Sequence, residues 1–343
     1  MNQQEGLKHA SVIDMHASVI DMHAHVVLAE TMGAAGEYGP FLGKNPDNSP
    51  YFQIGKTYRL NGVKYEGSPF MDVDCRLEKM AESGIDYQVL SPNPLTYFHF
   101  IPAQEAIRFC QIHNDAVARL VNKNSQKLGA FAALPMQDPK AASLELRRAV
   151  NELNLMGAAF GTDMPLRLHD PAMDIVYETA AELGVPLYIH PGPAGIDGPE
   201  GDPVLRHFEL DIVAGFTCQE TLAIGSLVYG GVLNRHENLK ICISHGGGAV
   251  AMTCYRMAQA ARKRPWSPAS LREKGNFEAM LKRLWVDTHI GHPKGIELLS
   301  ETFGADHLVY GTNFAGWDMP ENLDSHDLPD FLADNARQLL RRT

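Results

Sequence analysis

The chain has 343 residues, of which 45% are hydrophobic and 21% are charged, and its formal net charge is −11. These proportions are ordinary for a globular protein, so they exclude a disordered, collagen-like or coiled-coil chain. The acidic balance argues against binding to nucleic acid or to an anionic membrane surface, and no apolar run is long enough for a membrane-spanning helix.

The N-terminal segment contains a short duplication. HASVIDM occupies residues 9–15 and, without a gap, residues 16–22. Only the second copy continues into HAHVV, and seven residues are too few for a structural repeat. We therefore predict an N-terminal tail over 1–17 and a single folded unit over 18–343.

Beyond this tail, short apolar runs alternate with amphipathic stretches. The predicted strands are Val19–Met22, Tyr87–Leu90, Leu128–Leu134, Met156–Phe160, Leu187–Ile189, Ile241–Ile243, Leu284–Val286 and Leu308–Tyr310. The clearest helical patterns are Arg76–Ser83, Ala103–Lys123, Lys140–Leu153, Met173–Leu183 and Ala249–Lys263. Such alternation is typical of an α/β protein with parallel strands. Eight strands predict a closed (β/α)₈ TIM-type barrel, with a doubly wound sheet as the alternative.

The segment 26–74 is too long for a short strand-to-helix loop, and it is rich in glycine, proline and asparagine. We expect a small cap inserted after the first strand, with a hairpin through Arg59–Tyr65. In such barrels the active site lies at the carboxyl ends of the strands. The insertion would therefore cover the site.

Polar side chains follow the ends of several predicted strands. They are His23 and His25 after the first strand, His190 after the fifth, His245 after the sixth, Asp287 and His289 after the seventh, and Asn313 after the eighth. His23 and His25 are two residues apart, so they point to the same face of their strand. Because the carboxyl ends of the strands of a barrel meet at one end, we expect these polar side chains to converge there. Neutral imidazoles suit zinc, iron, nickel or manganese, so the sequence predicts a divalent metal site.

The cysteines indicate the compartment. All five are scattered, and no CxxC pair occurs. An odd, dispersed set is typical of a reducing environment, so we expect a cytoplasmic protein. The first residues also lack the apolar run of a signal peptide.

Four segments together resemble a known family. IDMHAHVV, LYIHPG, CISHGGGA and LVYGTNF occur in the order and spacing of the amidohydrolase-superfamily decarboxylases, most of all the amino-carboxymuconate-semialdehyde decarboxylases. The likeness runs from about Val19 to the C-terminus. It implies a (β/α)₈ fold and non-oxidative decarboxylation of an aromatic or muconate-type carboxylate. It also implies one divalent ion, Zn²⁺ or alternatively Mn²⁺, and no organic cofactor.

The resemblance assigns roles to individual residues. It implies three metal ligands, which are His23, His25 and His190. His245, which begins HGGG, matches the residue that moves the proton at the metal. Arg59 matches an arginine that binds the substrate carboxylate. Arg256 matches an arginine that reaches the neighbouring subunit's site, which implies a homodimer. For both arginines, a solvated surface charge is the alternative.

The sequence departs from the family pattern at Asn313, because the family has GTD where this chain has Gly311-Thr312-Asn313. An amide oxygen coordinates a metal weakly and cannot take up a proton. Asn313 would then be a weak fourth ligand and part of an altered catalytic site. Alternatively, it marks an inactive protein that binds a carboxylate, or the nearby Asp318 supplies the carboxylate.

The pocket also differs after His190, where the family has an aromatic residue and this chain has a glycine-rich run. Phe314 and Trp317 are candidates for an aromatic wall against the substrate, with core packing as the alternative for each. The rival activity is metal-dependent C–C hydrolysis or hydration of a ring-cleavage product. Release of CO₂ separates decarboxylation from uptake of water.

Overall fold

The computed structural model describes residues 17–320 and 328–341. Within these ranges the chain is an α/β protein in which parallel strands alternate with helices. The duplicated segment lies largely at 1–16, outside the described residues, so the predicted tail stays a prediction.

Each predicted strand is present, within a few residues of its expected bounds. The strands are β1 (Ile20–Val26), β2 (Phe41–Lys44), β3 (Pro50–Ile54), β4 (Tyr58–Asn61), β5 (Tyr87–Pro92), β6 (Leu128–Ala130), β7 (Ala132–Ala133), β8 (Ala158–Phe160), β9 (Pro186–Ile189), β10 (Lys240–Ile243), β11 (Trp285–Asp287) and β12 (Leu308–Val309). The predicted third strand is interrupted at Phe131 and therefore forms both β6 and β7.

The helices also follow the predicted pattern, and α2 coincides with its predicted range. They are α1 (Val73–Glu82), α2 (Ala103–Lys123), α3 (Pro139–Asn151), α4 (Asp174–Leu183), α5 (Leu210–Val213), α6 (Gly215–Tyr229), α7 (Val232–Arg235), α8 (Val250–Lys263), α9 (Asn276–Leu281), α10 (Pro293–Phe303) and α11 (Phe331–Leu340). Asp72 and Asp138 cap α1 and α3 by accepting hydrogen bonds from backbone N–H groups of the first turn, which explains why these helices begin there.

The parallel strands form two sheets, in the orders β1-β5-β6 and β12-β11-β10-β9-β8-β7. The two sheets adjoin at both ends. Phe131 N, between β6 and β7, donates to Leu90 O of β5 at 2.8 Å, and Met22 N of β1 donates to Tyr310 O, next to β12, at 2.9 Å. The carboxyl ends of the strands therefore face one side of the molecule, where the predicted histidine ligands lie.

A third, antiparallel sheet, β2-β3-β4, lies within the predicted insertion. The predicted hairpin through Arg59–Tyr65 is wrong in position, because the turn falls at 55–57 and Arg59 pairs with Gln53 within the sheet. Gly55 has φ +57°, a left-handed conformation that favours glycine and allows the tight turn. Phe52 and Ile54 alternate with partly buried neighbours and are themselves fully buried.

In the described ranges, no single helix is long and apolar enough to cross a membrane. One bent pair, Pro203–Val213 with Gly215–Tyr229 at 80°, reaches that length and composition only when its two parts are combined.

Candidate active site

Three histidines meet at the carboxyl ends of the parallel strands. His23 and His25 lie on β1, His190 follows β9, and all three are buried. One ring nitrogen from each lies within 4.8 Å of the other two. The sequence predicted this convergence from strand order alone.

The hydrogen bonds of these rings decide which nitrogens converge. Nδ1 of His23 contacts Asp287 Oδ2 at 2.9 Å, Nδ1 of His25 contacts the Pro92 carbonyl at 3.2 Å, and Nδ1 of His190 contacts the Pro191 carbonyl at 2.6 Å. Each Nε2 is buried and has no hydrogen-bond partner among the described residues. Nδ1 engaged by an oxygen, with Nε2 left for the ion, is the usual arrangement of a metal-ligating histidine. The donor set therefore fits a divalent ion.

The electrostatics of the three histidines also favour metal binding. Burial lowers the pKa of His23 to about 4, although Asp287 opposes the shift. Burial also lowers the pKa values of His25 and His190 well below the ordinary range. All three rings are thus neutral at neutral pH, the form that binds metals.

Asp287, at the end of β11, is a shared acceptor beneath the histidines. Besides His23, it accepts hydrogen bonds from Tyr188 Oη at 2.8 Å and from the backbone N–H of His289 at 3.1 Å. Burial opposes ionisation, but the adjacent histidines, above all His23, hold the pKa of the Asp287 carboxyl well below its usual range. Its position after a strand was noted from the sequence, but its role as partner of His23 was not.

His245 lies beside the three histidines, with its ring centre 5.0 Å from that of His23 and 4.9 Å from that of His190. Its Nδ1 is 2.6 Å from Oε1 of Glu220, a fully buried residue of α6. Burial lowers the pKa of His245, but the carboxylates of Glu220 and Asp287 outweigh it and raise the pKa to about 9. Sequence reasoning missed Glu220, although it is the only charged residue in α6.

The glycines after His245 explain how this ring reaches α6. Gly246, Gly247 and Gly248 all have positive φ, as does His245 itself at +45°. A Cβ on Gly248 would lie 2.3 Å from the backbone oxygen of Thr217 in α6. The run HGGG is therefore a close-packed turn that only glycine permits.

A second group lies at the rim of the histidine cluster. Nε2 of His289 is 3.1 Å from Oδ2 of Asp318, and the Asn313 side-chain amide donates to Oδ1 of Asp318 at 2.6 Å. Burial opposes ionisation here too, but hydrogen bonding to His289 lowers the pKa of Asp318 to about 2. Asn313 is thus linked to a carboxylate five residues later.

The whole chain from β1 onwards matches one family model. Residues 20–342 match the amidohydrolase model Amidohydro_2. The chain belongs to the amidohydrolase family. The resemblance drawn from the sequence is therefore confirmed.

Several relatives of this amidohydrolase are decarboxylases, and one is a 2-keto-4-carboxy-3-hexenedioate hydratase. It is 29% identical over 244 residues to 2-amino-3-carboxymuconate-6-semialdehyde decarboxylase of Dictyostelium discoideum, covering 71% of this chain and 66% of that protein. It is 30% identical over 256 residues to gamma-resorcylate decarboxylase of Rhodococcus jostii, covering 70% and 76%. The match thus spans just under two thirds of the first relative's length.

A solved structure with the same fold is a dihydroxybenzoic acid decarboxylase from Polaromonas sp., which holds manganese and the inhibitor 2-nitroresorcinol. It superimposes with a TM-score of 0.70 over 94% of this chain and 96% of that one, at 20% sequence identity. At 20% identity, this similarity establishes that the two chains share a fold.

The residues predicted to bind substrate in this amidohydrolase are spread out. Arg59 lies on the exposed face of β4, where it donates to Gln53 and lies 3.9 Å above the ring of Tyr51. Arg256 is exposed on α8. These placements bring neither arginine into a described contact with the three histidines, so their roles stay predictions.

The two predicted aromatic residues differ in burial. Phe314 is fully buried, and its ring lies 5.3 Å from the guanidinium carbon of Arg76, as the core-packing alternative expects. Trp317 is 73% exposed. Sequence reasoning did not single out Phe216 of α6, whose ring centre lies 5.8 Å from His190 and 6.1 Å from His245.

A buried network beneath β1 holds the ligand-bearing strand of the amidohydrolase in place. Arg76 donates to the carbonyl of His25 at 2.6 Å and also to Gln88, which in turn donates to Asp21 at 2.8 Å. Asp21 also accepts from Thr312 after β12. Burial raises the pKa of Asp21 to about 6. The network ties β1 to α1, β5 and the segment before Asn313.

Proposed function

We propose that this protein is a metal-dependent non-oxidative decarboxylase of an aromatic or muconate-type carboxylate. The observation that carries the proposal is the set of three buried Nε2 atoms without partners, beside a histidine that Glu220 holds. The decarboxylase activity of the relatives supports the same reaction class.

His23, His25 and His190 would hold one divalent ion. We expect zinc, with manganese as the alternative, and no organic cofactor. Three imidazoles suit both metals, and the manganese bound by the Polaromonas enzyme supports the second. Asn313 would be the fourth protein ligand through its amide oxygen, since its amide nitrogen is engaged by Asp318.

An ion held by these residues would supply Lewis-acid stabilisation of the negative charge that develops on the substrate. The bond from the carboxylate to the conjugated carbon breaks, CO₂ leaves, and the electron pair stays on that carbon. His245 then gives the carbon a proton from Nε2, because Nδ1 is engaged by Glu220. The carboxylate of Glu220 orients this ring and stabilises its protonated form.

The substrate would be held by the residues around this centre. Arg59 and Arg256 are proposed to grip its carboxylates, because a planar guanidinium binds carboxylate in a bidentate manner. Trp317 remains the proposed aromatic wall, whereas the burial of Phe314 favours the core-packing alternative for that residue. The ring of Phe216, close to both His190 and His245, supports an aromatic or conjugated substrate at this position.

Arg256 would act in the site of a second copy, in a homodimer. Its neighbours on α8, Met252 and Tyr255, are 79% and 77% exposed. Large apolar side chains on a surface helix support a protein–protein contact there.

We also propose that residues 18–343 form one closed (β/α)₈ barrel capped by 26–74. The hydrogen bond from Met22 of β1 to Tyr310, next to β12, and the continuous chain from β6 to β7 support closure. The cap is supported by a buried cluster in which Phe52 and Ile54 join Leu95, Phe98 and Ile196, from the loops after β5 and β9. The free cysteines support the expected cytoplasmic location.

Product mass tests the reaction class. Zinc-loaded and manganese-loaded protein is incubated with a panel of hydroxybenzoates and muconate-type carboxylates, beside chelator-treated protein. We expect a product lighter by one CO₂, with CO₂ in the headspace, only in the loaded samples. A product heavier by one water, with no CO₂, would establish the hydrolase or hydratase alternative instead.

A further inference from the structure

A second set of metal-binding side chains lies next to the first. One ligand atom each from His245, His289 and Asp318 lies within 4.8 Å of the other two. Nε2 of His289 and Oδ2 of Asp318 are 3.1 Å apart. Two ligands on one tetrahedral zinc, at bonds of about 2.0–2.1 Å, lie about 3.3 Å apart. A cation could therefore replace the proton that this pair shares.

Two of these three side chains, those of His245 and Asp318, are oriented by a further contact, as metal ligands usually are. Glu220 holds Nδ1 of His245 at 2.6 Å, which leaves Nε2 for a ligand. Asn313 donates to Oδ1 of Asp318 at 2.6 Å, which leaves Oδ2. The backbone N–H of His289 is fixed by Asp287. The pair of Glu220 with His245 repeats the arrangement of Asp287 with His23.

The charge around the two sets favours a second cation. Three carboxylates contact these histidines, namely Asp287, Glu220 and Asp318. Anionic surroundings of this kind stabilise bound cations.

We propose that His245, His289 and Asp318 form a second, weaker divalent-cation site that fills when zinc is in excess. Its ligands, two imidazoles and one carboxylate, suit zinc better than calcium or magnesium. The ring centres of His245 and His289 lie 5.0 and 5.4 Å from that of His23, so the site adjoins the first. Filling it occupies Nε2 of His245.

Occupation of this nitrogen has a functional consequence, which rests on the proposed role of His245 as proton donor. A ring nitrogen bound to a cation cannot carry a proton. Excess zinc would therefore inhibit decarboxylation, although the first ion is required for it.

Zinc stoichiometry tests the site without reference to activity. The full-length protein is equilibrated by dialysis against a series of free Zn²⁺ concentrations, and zinc per chain is measured by elemental mass spectrometry. We expect about two ions per chain at saturation for the wild type and about one for Asp318→Asn, with the tight ion retained. The matched control is Asp306→Asn, which removes a histidine-paired aspartate on the surface and should still bind two.

Two results would overturn the proposal: a wild type that saturates at one ion, or an Asp318→Asn protein that still binds two. His289→Gln provides an independent variant with the same expected loss. Turnover at rising Zn²⁺ is measured separately. If two ions bind and turnover is not inhibited, the second site is present but His245 is not the proton donor. Failure of the second site and failure of the proposed function are therefore distinguishable.

Discussion

Oδ2 of Asp287 lies 2.9 Å from Nδ1 of His23, and both side chains are completely buried. The contact fixes the ring so that Nε2 faces His25 and His190. It also joins β11 to β1 across 264 residues of sequence.

Replacing this carboxylate should weaken metal binding. We expect Asp287→Asn to lose about 10- to 100-fold in metal affinity, because the outer partner sets both the orientation and the basicity of a ligating histidine. Competition with a chelator measures the affinity, and circular dichroism checks the fold. The matched control is Asp174→Asn, which removes the carboxylate from a part-buried pair with another histidine, His236. Equal affinities for the Asp287 variant and the wild type would refute the assignment.

Glu220→Gln should separate proton transfer from metal binding. The amide preserves the shape of the side chain but removes the charge that stabilises protonated His245. We expect kcat to fall about 10²- to 10⁴-fold, with the tight metal ion retained. Glu182→Gln, at an exposed ion pair with Arg147, is the control. A kcat within twofold of the wild type would exclude His245 as the proton donor.

Asn313→Asp tests whether the asparagine serves an altered chemistry. The new carboxylate would face Oδ1 of Asp318 across the present 2.6 Å contact. Two carboxylates at that distance repel, so one must be protonated or move away. We expect kcat to fall by about tenfold or more, which corresponds to at least about 1.4 kcal/mol. A large gain in kcat would instead identify the natural protein as an inactivated family member.

Acid should destabilise the fold in part through His113, a buried residue of α2 that is not among the candidate metal ligands. Burial lowers the pKa of this α2 residue from 6.5 to about 4. Below the unfolded pKa, the unfolded chain therefore binds a proton that the folded chain does not. Stability is complete above pH 6.5 and falls as the pH drops towards 4, by about 1.4 kcal/mol per pH unit and about 3 kcal/mol in total.

Denaturant titrations at several pH values between about 7 and 4.5 check this linkage. His113→Gln should reduce the slope of unfolding free energy against pH in that range. His207→Gln, at an exposed histidine, is the matched control. An unchanged slope in the His113 variant would contradict the inferred neutral, buried state.

Local patterns were enough to predict the strands, most helices and the three converging histidines. The strands are short apolar runs, and α2 has a continuous amphipathic period, so each element is encoded in neighbouring residues. The order of parallel strands then places His23, His25 and His190 at one edge. The hairpin was displaced because the turn depends on Gly55, one residue after β3.

The partners of these histidines could not be predicted in the same way. Glu220 pairs with His245 across a helix–strand connection, and Asp287 pairs with His23 from the opposite end of the chain. Such contacts depend on tertiary packing, which no local period encodes. A lone charge in the apolar helix α6 was the one available signal for Glu220, since an unpaired charge is costly to bury.

The most direct test of the central claim is the divalent metal content of the purified protein, handled without chelator, beside that of His190→Ala. Elemental mass spectrometry should find about one tightly bound zinc or manganese ion per wild-type chain and almost none in the variant, because three protein ligands are the usual minimum for such a site. A wild type without metal, or a variant that retains it, would contradict the account.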